Sequence, residues 1–216
     1  MHHVIIFDFD GVLADTLDDM LHYARQVCEQ LGLACQPTRR DLDVLDHMSF
    51  EEFGRQLGVP ERKISEFTRR NLQLFSSPQR PPKIFDGMRQ VVAQLAQTHK
   101  LGIVTGNISE AVWNFLHVYG LAEHVQIVLD ADAEGTRAEK ISRAAASLGQ
   151  AGSLVYVIGD AVSDVRAARQ ACALSVAVTW GHQSRAKLEG ARPDYVVGSP
   201  KELLQLFARL SNSNRR

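Results

Sequence analysis

From residue 84 onward, short apolar runs rich in β-branched residues alternate with segments of helical period. This alternation limits the available folds more than any other feature of the chain. The runs are 101–105 (LGIVT), 125–129 (VQIVL), 154–159 (LVYVIG), 174–178 (LSVAV) and 194–197 (DYVV), with an earlier one at 3–8 (HVIIFD). Between them, Met88, Val91, Val92 and Leu95 keep the i, i+3, i+4, i+7 spacing of a buried helix face, and so do Val112, Phe115, Leu116 and Tyr119. Ser109 is expected to cap the second of these helices and Gly120 to stop it. Further helices are expected over 137–148, 162–172, 184–189 and 200–210. Strands that alternate with helices form a parallel sheet with helices on both faces. The near-continuous apolar character of the runs suits strands covered on both sides.

Residues 17–80 break the alternation. Helical stretches fall at 16–31, 38–47, 50–57 and 61–75, with no strand among them. The expected fold class is therefore α/β: a doubly wound parallel sheet with an inserted all-helical subdomain. The core is expected over 1–16 and 81–216, and the insert over 17–80. Ala14–Asp18 and the stretch holding Pro78, Pro81 and Pro82 read as the two hinges.

The 24 basic and 25 acidic side chains leave a formal charge of -1. That balance excludes a general nucleic-acid or membrane-surface binder, which would carry a basic excess. No apolar run approaches the ~20 residues of a membrane span or the core of a signal peptide, so a cytoplasmic protein is expected. Cys28, Cys35 and Cys172 are too few and too unevenly spaced for a disulfide framework, and read as small buried residues.

Ligands of doubly wound sheets bind at the carboxyl ends of the strands. The first run ends in Asp8-Phe9-Asp10-Gly11, a second in Thr105-Gly106-Asn107 and another in Gly159-Asp160, with Asp164 four residues on. Four carboxylates at one edge cannot all stay ionised unaided. A hard cation such as Mg²⁺, held by Asp8, Asp10, Asp160 and Asp164, would relieve them and admit an anion. Lys140, the only lysine between Lys100 and Lys187, could add a positive charge and Thr105 a hydroxyl for phosphate oxygens. Such a set points to phosphoryl transfer. The eight histidines show no ligand spacing, and Trp113 and Trp180 read as packing residues.

The stretch Asp8-Phe9-Asp10-Gly11-Val12-Leu13-Ala14-Asp15-Thr16 resembles the first motif of the haloacid dehalogenase superfamily. Thr105, Lys140 and Gly159-Asp160-x-x-x-Asp164 resemble its second, third and fourth motifs, in order. The helical block 17–80 is similar to the family's helical cap. The phosphoglycolate phosphatase-like branch is the nearest in pattern. The resemblance implies a Mg²⁺-dependent phosphatase of a small phosphorylated metabolite. In that scheme Asp8 is the nucleophile, Asp10 the general acid and base, and Thr105, Gly106, Asn107 and Lys140 the phosphate binders. Asp8, the Asp10 carbonyl and Asp160 hold the metal. Asp164 is a further ligand or a partner orienting Lys140 or a metal-bound water. Ile141 follows Lys140 where the family often has proline, so Arg137 is the alternative cation. The rival readings are a phosphosugar mutase of the same superfamily and a non-catalytic phospho-ligand binder. A mutase needs a cap histidine; Met20 holds the corresponding place, with His22 nearby. Among the insert's basic residues, Arg40, Arg55 and Arg70 are the candidates to read the substrate.

Overall fold

The computed structural model describes residues 3–76, 81–149 and 152–213. It opens with β1 (Val4–Phe7), β2 (Ala14–Asp15), α1 (Leu17–Gln30), α2 (Arg39–Asp43), α3 (Phe50–Gln56) and α4 (Glu61–Ser76). There follow β3 (Lys83–Ile84), α5 (Met88–Ala96), β4 (Lys100–Val104), α6 (Ser109–Val118), β5 (Val125–Leu129) and α7 (Arg137–Leu148). The chain closes with β6 (Val155–Gly159), α8 (Val162–Gln170), β7 (Leu174–Val178), α9 (Arg185–Gly190), β8 (Tyr195–Val197) and α10 (Pro200–Ser213).

Six strands pair in the order β5-β4-β1-β6-β7-β8, every pair parallel. The doubly wound arrangement expected from the alternation is the one observed. β1 is central, so Ile5, Ile6 and Phe7 are at most 1% exposed. Their alternate side chains serve opposite faces. Ile5 and Phe7 join Met88, Val92, Phe115 and Phe207 on the face covered by α5, α6 and α10. Val4 and Ile6 join Ile141, Ala144 and Ala168 beneath α7 and α8.

The helices α1–α4 make a hydrophobic cluster of their own, with Val27, Leu42, Phe53 and Phe67 at its centre. The insert leaves and rejoins the core through β2 and β3, which pair antiparallel with Ala14 opposite Ile84 and Asp15 opposite Lys83. The sequence gives no sign of this two-residue neck. It ties entry and exit together beside the sheet edge. Pro78 lies outside the described residues.

Two local expectations need correction. Ser109 opens α6 but does not cap it; Ile108 holds the cap position, and the Ser109 N–H donates to Asp130 Oδ2 at 3.0 Å. A carboxylate from the end of β5 thus replaces the local hydroxyl. Cys28 and Cys35 are buried in the insert, but Cys172 is exposed at the turn after α8, where its φ is 53°. Among the described residues no helix is long and apolar enough to cross a membrane.

Candidate active site

After β1 the chain turns back at once: the Phe9 carbonyl accepts from both the Leu13 and Ala14 amides. Gly11 makes the turn with φ at 75°, and a Cβ there would overlap Asp160 Oδ2 and His182 Nδ1. Glycine is required for both its conformation and its lack of bulk. The turn presses the first acidic motif against the end of β6.

One carboxylate oxygen from each of Asp8, Asp160 and Asp164 lies within 4.8 Å of the others. The Asp10 carboxylate is not in that group; its Oδ2 accepts from Asn107 Nδ2 at 3.2 Å. Asn107 is itself fixed, its amide donating to Thr105 Oγ1 at 2.9 Å and its Oδ1 accepting from the Ile108 amide. Asp8 Oδ1 accepts from the Phe9 amide at 2.7 Å. Asp164 Oδ2 accepts from the Ala161 amide at 3.0 Å, which anchors it to the start of α8.

The cation inside this group is Arg137. Its Nη2 lies 2.8 Å from Asp8 Oδ2 and 2.8 Å from Asp164 Oδ1. The second contact is an ion pair without hydrogen-bond alignment. The structure does not bring Lys140 to the same place. Its ammonium donates to the Asp130 carbonyl at 2.6 Å, with the Ala131 carbonyl at 3.4 Å. Thr136 caps α7 in a reciprocal box with Glu139, so Arg137 is the first helical residue and faces the sheet edge. Lys140 falls nearly one turn later, under the loop that follows β5.

His182 is a partner absent from the sequence motifs. Its Nδ1 lies 2.8 Å from Asp160 Oδ2, and its amide donates to the same oxygen at 2.6 Å. It follows β7 by only a few residues, so the strand-end rule that singled out Asp160 also points to it.

The electrostatics follow from burial. Burial and the neighbouring Asp8 raise the Asp10 carboxyl to about 7. Burial also raises Asp164 to about 7, against the opposing pull of Arg137. Asp8 is raised by burial too, with Arg137 working the other way. Burial works against a charged His182, but Asp160 outweighs it and holds the imidazole above its ordinary value. Two buried carboxylates, Asp160 and Asp164, and two half-buried ones, Asp8 and Asp10, thus face one guanidinium and one imidazole. The donor set suits a hard divalent cation, which takes carboxylate oxygens and removes the mutual repulsion.

A cavity of about 300 Å³ lies between this edge and the insert. Asp8, Asp10, Thr105, Asn107, Arg137 and Asp160 line its floor, with Gly106 and His182 beside them. Met20, Met48, Phe50, Leu72 and Phe75 form its roof, together with Ser49, Glu51 and Thr68. His22, Arg40, Arg55 and Arg70 do not line it.

An acidic pocket at the carboxyl edge of a parallel sheet, roofed by a helical insert, is the arrangement of a capped hydrolase with a Rossmann-like core. Residues 5–178 match the family model described as haloacid dehalogenase-like hydrolase, and the chain belongs to that family. It is 30% identical over 208 residues to a phosphoglycolate phosphatase of Synechococcus elongatus, covering 95% of this chain and 97% of the relative. It is 27% identical over 219 residues to an N-acetylmuramic acid 6-phosphate phosphatase of Pseudomonas aeruginosa, covering 95% and 94%. A haloacid dehalogenase-like family hydrolase from Streptococcus pneumoniae has the same fold, with a TM-score of 0.83 at 22% identity over 95% of this chain and 98% of that one. The chain is a hydrolase of the phosphatase kind that these relatives represent.

Proposed function

We propose that the chain hydrolyses a small-molecule phosphomonoester with the help of Mg²⁺, through an aspartyl-phosphate on Asp8. One observation carries this reading. Asp8 and Asp10 stand on the floor of a small cavity in different settings, Asp8 against Arg137 and Asp10 against Asn107. Two carboxylates in distinct environments are what separate nucleophile from acid require.

Asp8, paired with a guanidinium, is the better candidate to attack phosphorus. The P–O bond to the alcohol then breaks. Asp10, raised to about 7, carries a proton near neutrality and delivers it to the leaving oxygen. The resulting Asp10 carboxylate takes a proton from the water that hydrolyses the aspartyl-phosphate, which releases inorganic phosphate and restores Asp8. Asn107 keeps Asp10 aimed at the cavity. Thr105 and the Arg137 guanidinium would hold phosphoryl oxygens; in this reading Arg137 takes the part first given to Lys140. Asp8, Asp160 and Asp164 would hold Mg²⁺, with His182 orienting Asp160. The ion would supply positive charge against the phosphoryl oxygens.

A mutase is the weaker reading, because Met20 lines the cavity and His22 does not. The three cysteines are free thiols, in keeping with a reducing, cytoplasmic setting. The test is release of phosphate from p-nitrophenyl phosphate with and without Mg²⁺, beside the Asp8→Asn variant. Metal-dependent turnover that the variant loses is expected. Undiminished turnover by the variant would sink the mechanism.

A further inference from the structure

We infer that the substrate is the phosphomonoester of an uncharged, partly apolar alcohol, and that an alcohol carrying a second anionic group is disfavoured. This deepens the proposed hydrolysis and rests on it for the phosphoryl end alone. The other end is read from the roof of the cavity.

Five of the roof's side chains, Met20, Met48, Phe50, Leu72 and Phe75, are apolar. Leu72 is 42% exposed although it belongs to an insert with a well-formed core. A large aliphatic side chain left open over an active-site floor is available to a ligand. Among the described residues, no lysine, arginine or histidine joins the roof. Arg55 lies 2.6 Å from Glu51 and 2.9 Å from Glu61, and this trio carries a net charge of -1. Arg70 is held by Glu66 at 2.6 Å and also donates to Gln30. Glu51, the one ionisable group among the roof's described residues, would repel a carboxylate or second phosphate above the floor. The Thr68 hydroxyl lines the same space and has no hydrogen-bond partner among the described residues. With Ser49 and Glu51 it can serve a hydroxyl or amino group of the alcohol, while the apolar residues take its hydrocarbon face. Among the described residues, the cations that touch the cavity, Arg137 and His182, lie on the floor, where the phosphoryl group belongs.

The test compares two phosphonates that cannot be hydrolysed, benzylphosphonate and phosphonoacetate. Binding of each to the full chain with excess Mg²⁺ is followed by calorimetry. Benzylphosphonate is expected to bind at least about tenfold tighter, since even one buried methylene is worth that much. Leu72→Lys should tighten phosphonoacetate by about fivefold, the value of one partly exposed ion pair, and weaken benzylphosphonate. Equal or tighter binding of phosphonoacetate to the native chain would overturn the inference, and so would its indifference to Leu72→Lys. The companion measurement is the kcat/KM of phenyl phosphate against 2-phosphoglycolate, expected to favour the phenyl ester by at least about tenfold. The phosphonate order holds or fails whether or not either ester is hydrolysed. A chain that binds in the expected order and turns over neither ester would refute the reaction and support the reading of the roof.

Discussion

Arg137 Nη2 stands 2.8 Å from Asp8 Oδ2. The same nitrogen is 2.8 Å from Asp164 Oδ1, so one guanidinium joins the ends of β1 and the first turn of α8. Guanidinium is suited to this place. It keeps its charge when buried and offers several donors in a fixed plane to carboxylate and phosphate alike. Lys140 spends its ammonium on the loop after β5 instead. Of the three cations of α7, Arg137 therefore faces the chemistry, while Lys140 and Arg143 brace the loop after β5.

That division predicts opposite outcomes for two variants. Arg137→Met should lower kcat/KM by about 10²–10³-fold, the usual loss when one donor to a developing charge is removed. Lys140→Met should cost about 1.5–3 kcal/mol of stability, the worth of a hydrogen bond from a charged donor. It should leave kcat/KM within about tenfold of native, less than the loss of any donor to the transition state. Steady-state kinetics and thermal melts on both variants would check this. A catalytic collapse in Lys140→Met with native Arg137→Met kinetics would return the phosphate-binding role to Lys140.

His182 braces Asp160 through both its ring and its amide. Loss of the ring should leave the fold intact and loosen the metal site. For His182→Ala the Mg²⁺ concentration giving half-maximal activity should rise about 10- to 100-fold, as for other partners of metal ligands. A Mg²⁺ titration reads this directly. An unchanged half-maximal concentration with lowered kcat would instead place His182 on the substrate.

Much of this was legible in the residues alone. The six sheet strands announced themselves because buried parallel strands leave long apolar runs, and the insert showed by the lack of such runs over 17–80. β2 and β3 were invisible because two residues carry no periodicity. That Asp8, Asp10 and Asp160 share one edge was legible because strand ends converge there. Arg137 took second place to Lys140 although Thr136 and Glu139 form a capping box that fixes the first residue of α7. One helical turn separates the active-site edge from the loop beneath it, and the box was the signal that could have chosen between them. The roof was not legible. Phe50, Leu72 and Phe75 share the periodicity of core residues, and only the packing of α1–α4 shows which of them look into the cavity.

The carboxylates also set a pH dependence. Asp10 and Asp164 titrate near 7 in the folded chain, well above the ordinary aspartate value of 3.8. The metal-free folded state therefore binds more protons than the unfolded state between those limits. Its stability falls as pH rises through that window and levels off above about 7. Mg²⁺ needs the ionised carboxylates and acts in the opposite sense. The rise in melting temperature on adding Mg²⁺ should be larger at pH 8 than at pH 6. At about 100 times the Kd it should reach about 2.7 kcal/mol, or roughly 5–10 °C in a chain of this size. Melts at the two pH values with and without Mg²⁺ would decide it. An increment that grows toward low pH would remove Asp164 from the metal site.

The last prediction concerns how the roof is held over the floor. Gln183 is fully buried; its Oε1 accepts from the Val162 amide at 2.7 Å, and its Nε2 donates to the Leu45 carbonyl at 2.7 Å. One side chain thus links the start of α8 to the insert. Beside it Asp43 accepts from the Ser184 amide and hydroxyl at 2.7 and 3.0 Å. Further out, Asp46 meets Lys187 at 3.0 Å and Arg166 at 3.3 Å, but its side chain is 55% exposed. Water screens the outer pairs and leaves the inner bonds at full strength. Gln183→Leu would strand a buried N–H and a buried carbonyl, at a cost of about 2–4 kcal/mol. It should also raise KM, because the roof loses its fixed position over the cavity. Asp46→Ala should change stability by less than about 1 kcal/mol and leave KM alone. Denaturant melts and saturation curves on the two variants would measure the contrast. A larger loss in Asp46→Ala than in Gln183→Leu would show that the exposed pairs, not the buried amide, seat the roof.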